Sequence, residues 1–179
     1  MPRYDQASRC SGAAEVVFRW YGNPQCESSA DNVEAAVSAL MGAISGNGRI
    51  WNPWNETMAR REFRSRIVKA SQGALVPVDH VKPVDIRNPP PMYEIRWQDV
   101  AVAELEPGGS QRFRQVLVRM YHSEPYEVPS HFIGHHAHEK DVTVVDINAQ
   151  QNEEIATAVG WYEHGRASRW GIAGYPCSV

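Results

Sequence analysis

The stretch Gln115–Lys140, QVLVRMYHSEPYEVPSHFIGHHAHEK, reads as two β-strands and a turn. In its first half Val116, Val118 and Met120 alternate with Leu117, Arg119 and Tyr121, a period of two. Both sets are partly apolar, which suits a central strand with material packed on each side. Ser123–Ser130, with Pro125 and Pro129, reads as the turn, and Phe132–Lys140 as the second strand. Arg114, Arg119 and His122 lie on or beside the first strand. His131, His135, His136, His138 and Lys140 lie on or beside the second. This is the densest patch of acid–base chemistry in the chain. Three readings fit it: a metal-free RNA-cleaving face, a histidine metal cluster, or an antiparallel sheet with a wet polar side.

Working outward, Met92–Leu105 begins as another strand, with Tyr93, Ile95 and Trp97 alternating with Glu94 and Arg96, and Pro107–Ser110 is a turn. Leu75–Val84 is broken by Pro77 and Pro83, as in an edge strand or covering loop, and Asn88–Pro91 is a rigid connector. Val33, Ala36, Val37, Leu40, Met41 and Ile44 follow helical spacing over Asn32–Ile44, with Asp31 or Asn32 as the cap. A second helix runs from Asn55 to about Ala70. Its Arg60, Arg61, Arg64 and Lys69 are either a solvated face or a nucleic-acid contact. Downstream, Asp141–Ile147 is a candidate fourth strand, and Asn148 caps a helix that runs to about His164.

The fold class expected is α+β, with helices on a three- to four-stranded antiparallel sheet. Residues 1–30 form an N-terminal extension and 31–179 a single domain. A chain of 179 residues with 42% hydrophobic and 22% charged side chains can bury a core of its own. The net charge of −3 gives no global attraction to nucleic acid, so such binding needs a local patch. The three cysteines, Cys10, Cys26 and Cys177, make no C-x-x-C motif, and a Cys10–Cys26 bridge is open but not required. No apolar run follows a basic head and none reaches the ~18 residues of a membrane span, so a cytoplasmic location is expected.

The order of two helices, antiparallel strands and a closing helix resembles the HigB/RelE toxin superfamily, in particular its phage-derived HigB-like branch, over about residues 55–167. Tyr93-Glu94-Ile95-Arg96, Arg114–His122, Ile133–Asp141 and Gln150–Ala167 look like four of its strings in the right order. Glu139 stands where the family has the first of two lysines, and Ala137 where it has an aromatic residue. The resemblance implies a RelE-like sheet and a metal-independent endoribonuclease, the mRNA interferase of a toxin–antitoxin system. Such a protein has no cofactor, cuts mRNA (often on the ribosome) and is silenced by an antitoxin protein. The positions carried over are His135, Arg119, Arg114, Arg96 and Lys140, with Arg114 and Arg96 expected on one face. Two alternatives stay open: a partner-binding regulatory protein on the same scaffold, and a metal enzyme. In the metal enzyme His136 and His138, on the face opposite His135 if the strand is regular, ligate with His131 or His122.

Overall fold

In a computed structural model the structure describes residues 7–26, 31–46, 48–84 and 92–175. The strands are β1 (Val17–Trp20), β2 (Arg49–Ile50), β3 (Val81–Pro83), β4 (Met92–Leu105), β5 (Gln111–Ser123) and β6 (His131–Lys140). The helices are α1 (Asn32–Ile44), α2 (Pro53–Ser71) and α3 (Ile147–Arg166), with 3-10 turns at Arg9–Ser11 and Arg169–Gly171. Residues 115–140 do form two antiparallel strands and a turn, and β4 joins them as the first strand of a meander.

The α+β class holds, but the sheet is six-stranded and mixed, larger than the antiparallel sheet of three or four strands expected. Its order is β1-β6-β5-β4-β2, with β3 also beside β4, and β1 runs parallel to β6. The added strands span four, two and three residues, too short for a period of two to register. Pro83 ends β3 at the sheet edge, where its missing N–H costs no ladder bond. The segment expected as an extension supplies β1 and the buried Cys10 and Trp20, so it belongs to the same core.

The sheet carries a layer on each face. On one, α1 and α2 bury Leu40, Ile44, Phe63 and Ile67 against Trp20, Ile95, Trp97 and Met120, with Phe63 edge-on to Trp97 at 5.4 Å between ring centres. On the other, α3 covers two smaller clusters. One contains Met92, Tyr121, Ile155 and Ala158, the other Ile133, Tyr162 and Trp170. The faces follow strand alternation except at two irregularities. One lies between Trp97 and Val100 of β4. The other inserts His135 in β6 between the partners of Tyr121 and His122.

Local capping explains where the helices start. The Asp31 carboxylate accepts from the Val33 and Glu34 amides. Asp31→Ala is expected to lower stability by about 1 kcal/mol in urea unfolding; a change below a few tenths would show that the cap does not hold α1. Asn52, not Asn55, caps α2. Pro53 takes the first helical position, and Asn55 returns the bond as the third member of a capping box. Asp146, not Asn148, caps α3. Asp141–Ile147 forms no strand, because the Asp141 carboxylate accepts from the Thr143 amide and hydroxyl and turns the chain. Cys10 is a free thiol, so the bridge between it and Cys26 is not made. Cys177 and the Asn88–Pro91 connector lie outside the described residues. Among the described residues no helix is long and apolar enough to cross a membrane.

Candidate functional site

The sheet face under α3 gathers a dense set of acid–base groups. Register sets them in two rows across β4, β5 and β6: Glu94–Tyr121–His136, and Arg96–Arg119–His138. Lys82 of β3 lies opposite Glu94, and Lys140 continues the His136, His138 alternation. Helix α3 brings Glu154 to His136, with Oε2 2.5 Å from Nε2. Beside this group a cleft of about 310 Å³ is lined by Lys82, Glu94, Asn148, Gln151 and Asn152, with Val84 and Ile155 as its apolar wall.

Glu94 is buried and central. Arg96 Nε stands 3.4 Å and Arg119 Nε 3.9 Å from its two oxygens. The arginines are held further by backbone carbonyls. Arg119 Nη1 donates to Trp97 O at 3.2 Å and Val118 O at 2.9 Å, and Arg96 Nη1 donates to Val78 O at 2.8 Å. Burial pulls the Arg119 guanidinium below its ordinary pKa, and Glu94 restores part of the loss. Burial, and then Arg119, also lowers the Lys140 ammonium. Four cations thus stand against two carboxylates on one face of a net-negative protein.

The two histidines are unequal. His138 stacks on Tyr121 at 5.4 Å; its Nδ1 donates to Glu139 O at 3.2 Å and its Nε2 accepts from the Tyr121 hydroxyl at 3.3 Å. Burial lowers its pKa to about 4, so the ring is neutral near pH 7. The same burial raises the Tyr121 phenol, which stays protonated and remains a donor. His136 lies parallel to His138, with ring centres 6.2 Å apart, and is partly open. Its hydrogen bond holds the Glu154 carboxyl below the usual carboxylate range.

The other expected site residues lie elsewhere. The extra residue in β6 breaks the alternation that separates His135 from His136, and both turn towards α3. His135 is nevertheless enclosed. Its Nδ1 donates to Tyr21 O at 3.0 Å, its Nε2 accepts from Ser123 Oγ at 2.8 Å, and Tyr162 covers its edge. Burial takes its pKa to about 3. With both ring nitrogens engaged and no solvent access, it has no free nitrogen to offer a substrate.

Arg114 and Arg96 do not share a face. Arg114 falls in phase with Val116 and Val118, on the α1–α2 side. There it joins a network with Glu104 at 3.0 Å and Glu139 at 3.5 Å, which Arg49 also enters at 2.8 and 2.9 Å. The basic residues of α2 lie on that side too. Arg60 pairs with Glu56, and Arg64 with Glu34. Arg61 and Lys69 line a separate groove of about 590 Å³ between α2 and residues 99–103 of β4. Neither group extends the face that carries His136.

The metal set built on His136 and His138 also separates. His131 sits at the start of β6 against Ser130 and Tyr175, and His122 faces the opposite layer. Among the described residues one trio of potential ligands converges within 4.8 Å, and it is Cys10, His122 and Glu124.

Sequence reasoning passed over Glu94, Glu154 and Lys82 as site members. Glu94 did leave a signal, as an acid inside the otherwise apolar–basic string Tyr93–Trp97. Glu154 and Lys82 left none, because only the packing of α3 and the short β3 brings them in. No protein-family model matches this sequence, and neither a curated protein nor a solved structure matches it.

Proposed function

We propose that the α3-facing side of the sheet cleaves RNA by metal-independent transesterification, as a RelE-like mRNA interferase that an antitoxin protein silences. One observation carries the reading. The partly open His136–Glu154 pair shares a sheet face with Arg96, Arg119 and Lys140, and with Lys82 and Glu94, which line a cleft on that face. The order of two helices, an antiparallel meander and a closing helix supports it as well.

On this reading Glu154 accepts the Nε2–H of His136, which fixes the tautomer and leaves Nδ1 basic. Nδ1 takes the proton of a ribose 2′-hydroxyl, the 2′-oxygen bonds to phosphorus, and the bond from phosphorus to the 5′-oxygen breaks. The products are a 2′,3′-cyclic phosphate and a 5′-hydroxyl end, the leaving oxygen taking a proton from solvent. Lys82 and Lys140, neither within ion-pair distance of a carboxylate among the described residues, meet the phosphate. Arg96 and Arg119, anchored through Glu94, add a fixed positive field to the developing charge.

The test is cleavage of an end-labelled RNA, with and without ribosomes and with and without added magnesium. Cyclic-phosphate ends at equal rates in both magnesium conditions support the reading. Intact RNA in all four mixtures with folded protein removes it. Lys82→Ala and Lys140→Ala are each expected to weaken RNA binding about tenfold at low salt. Each should also reduce the slope of log affinity on log salt by about one, read by fluorescence anisotropy. Unchanged slopes would place the phosphate elsewhere.

A further inference from the structure

We propose that Cys10, His122 and Glu124 form a zinc site that fastens the N-terminal segment to the sheet. The site lies on the α1–α2 side, away from His136, and does not depend on the RNA-cleavage reading.

The geometry is that of three ligands around one point. His122 Nε2 stands 3.7 Å from Cys10 Sγ and 3.1 Å from Glu124 Oε1. Zinc bonds of about 2.3 Å to sulfur and about 2.0 Å to nitrogen and oxygen put tetrahedral ligand atoms roughly 3.3–3.6 Å apart. A single imidazole nitrogen therefore faces both the sulfur and the carboxylate, as a common metal requires. A hydrogen-bonded relay would use the two nitrogens in turn, and His122 Nδ1 has no hydrogen-bond partner among the described residues.

The surroundings hold the ligands in place. Tyr93 stacks on the His122 ring at 5.5 Å and Phe132 meets it edge-on at 5.5 Å, which fixes its orientation. The Arg9 amide donates to Glu124 Oε2 at 2.7 Å, which leaves Oε1 as the inward oxygen. Ser8 Oγ donates to Oε1 at 2.5 Å and accepts from the Cys10 amide at 3.1 Å, which ties the carboxylate to the residue that carries the thiol. Cys10, His122 and Glu124 are all buried, so an ion bound there would be shielded from bulk solvent. Thiolate, imidazole and carboxylate together suit zinc, whereas magnesium and calcium prefer oxygen alone. Binding displaces the Cys10 thiol proton to solvent, and no electron moves.

The trio joins a turn at residues 9–11 to the end of β5, two parts of the chain remote in sequence. A metal there closes a loop of more than a hundred residues and adds to the β1–β6 pairing that already ties the N-terminal segment to the sheet.

The test uses the full chain, supplied with zinc during expression and dialysed against metal-free buffer. Elemental analysis is expected to give about one zinc per chain, falling below about a tenth in Cys10→Ser and Glu124→Gln and unchanged in a His136→Ala, His138→Ala double variant. Cobalt in place of zinc should show a thiolate-to-cobalt charge-transfer band that Cys10→Ser removes. If the Cys10→Ser protein does not fold, a Cys26→Ser, Cys177→Ser protein leaves Cys10 as the sole thiol. Its reaction with a disulfide reagent should then speed up at least tenfold once a chelator is added. Less than a tenth of an equivalent of metal in the intact protein would overturn the proposal. So would zinc retained in Cys10→Ser, or thiol reactivity indifferent to the chelator.

Discussion

Replacing His136 by alanine is expected to slow RNA cleavage by about 10²–10⁴-fold, the usual worth of a positioned general base, while the midpoint of thermal unfolding moves little. The side chain is partly exposed, and its hydrogen-bond partner Glu154 is half-buried and can return to water. Removing it therefore strands nothing in the core. Glu154→Gln should give a smaller loss, because an amide still orients the ring but no longer supports its positive form. His135→Ala should behave in the opposite way. It would leave the Tyr21 carbonyl and the Ser123 hydroxyl without their partner in a buried site, and cost about 1–3 kcal/mol of stability. The rate per folded molecule should hold. Measured together, rate and stability separate a histidine that meets substrate from one that supports the sheet. Full activity in His136→Ala, or a rate collapse in well-folded His135→Ala, would move the chemistry away from the Glu154 pair.

That reversal shows where the sequence was readable. The alternation of Val116, Val118 and Met120 against Arg119 and Tyr121 fixed the faces of β5, and both faces are as assigned. The same rule already separates Arg114 from Arg119, since five positions apart on a regular strand means opposite sides. Extending parity through HHAH failed, because one extra residue in β6 is invisible to a period of two. Gly134, directly before His135, is its one local mark, since a glycine inside a strand often signals a bulge. What stabilises it is tertiary: the Tyr21 carbonyl arrives from the chain beyond β1, and Tyr162 from α3. The short strands escaped for a related reason. Four residues, Val17–Trp20, pair with His131–Gly134, and their strand character comes from that partner more than from local propensity. Charge runs misled in the other direction. Arg60 and Arg64 look like a phosphate footprint, yet each has a carboxylate one helical turn or one helix away. Helix α1 and the meander, whose periods are long and whose caps or turns are local, were legible almost to the residue.

Acidification should unfold this protein well before its carboxylates are fully protonated. His135 and His138 are buried as neutral rings, with pKa values lowered by burial to about 3 and about 4, from an ordinary value of 6.5. The unfolded chain takes up both protons as pH falls through about 6.5, whereas the folded chain resists until about 4 and below. Across that window the unfolded state holds more protons, so stability rises with pH and is lost as pH falls. Each ring costs about 1.4 kcal/mol per pH unit once below its unfolded value, so two rings over two units remove roughly 5 kcal/mol. That is of the order of the whole stability of a modest domain. Glu124 and Glu154, both held below the usual carboxylate range, contribute in the same direction but only at lower pH, as their unfolded-state values near 4.5 are crossed. Urea unfolding followed by circular dichroism between pH 7.5 and 5 should therefore show a slope approaching two protons below pH 6. His135→Asn, which keeps a polar group at the site but cannot take up the proton, should lower stability at pH 7.5 and reduce that slope by about one proton. A slope under one proton in the parent chain would mean that at least one of these rings is accessible to protons in the folded state.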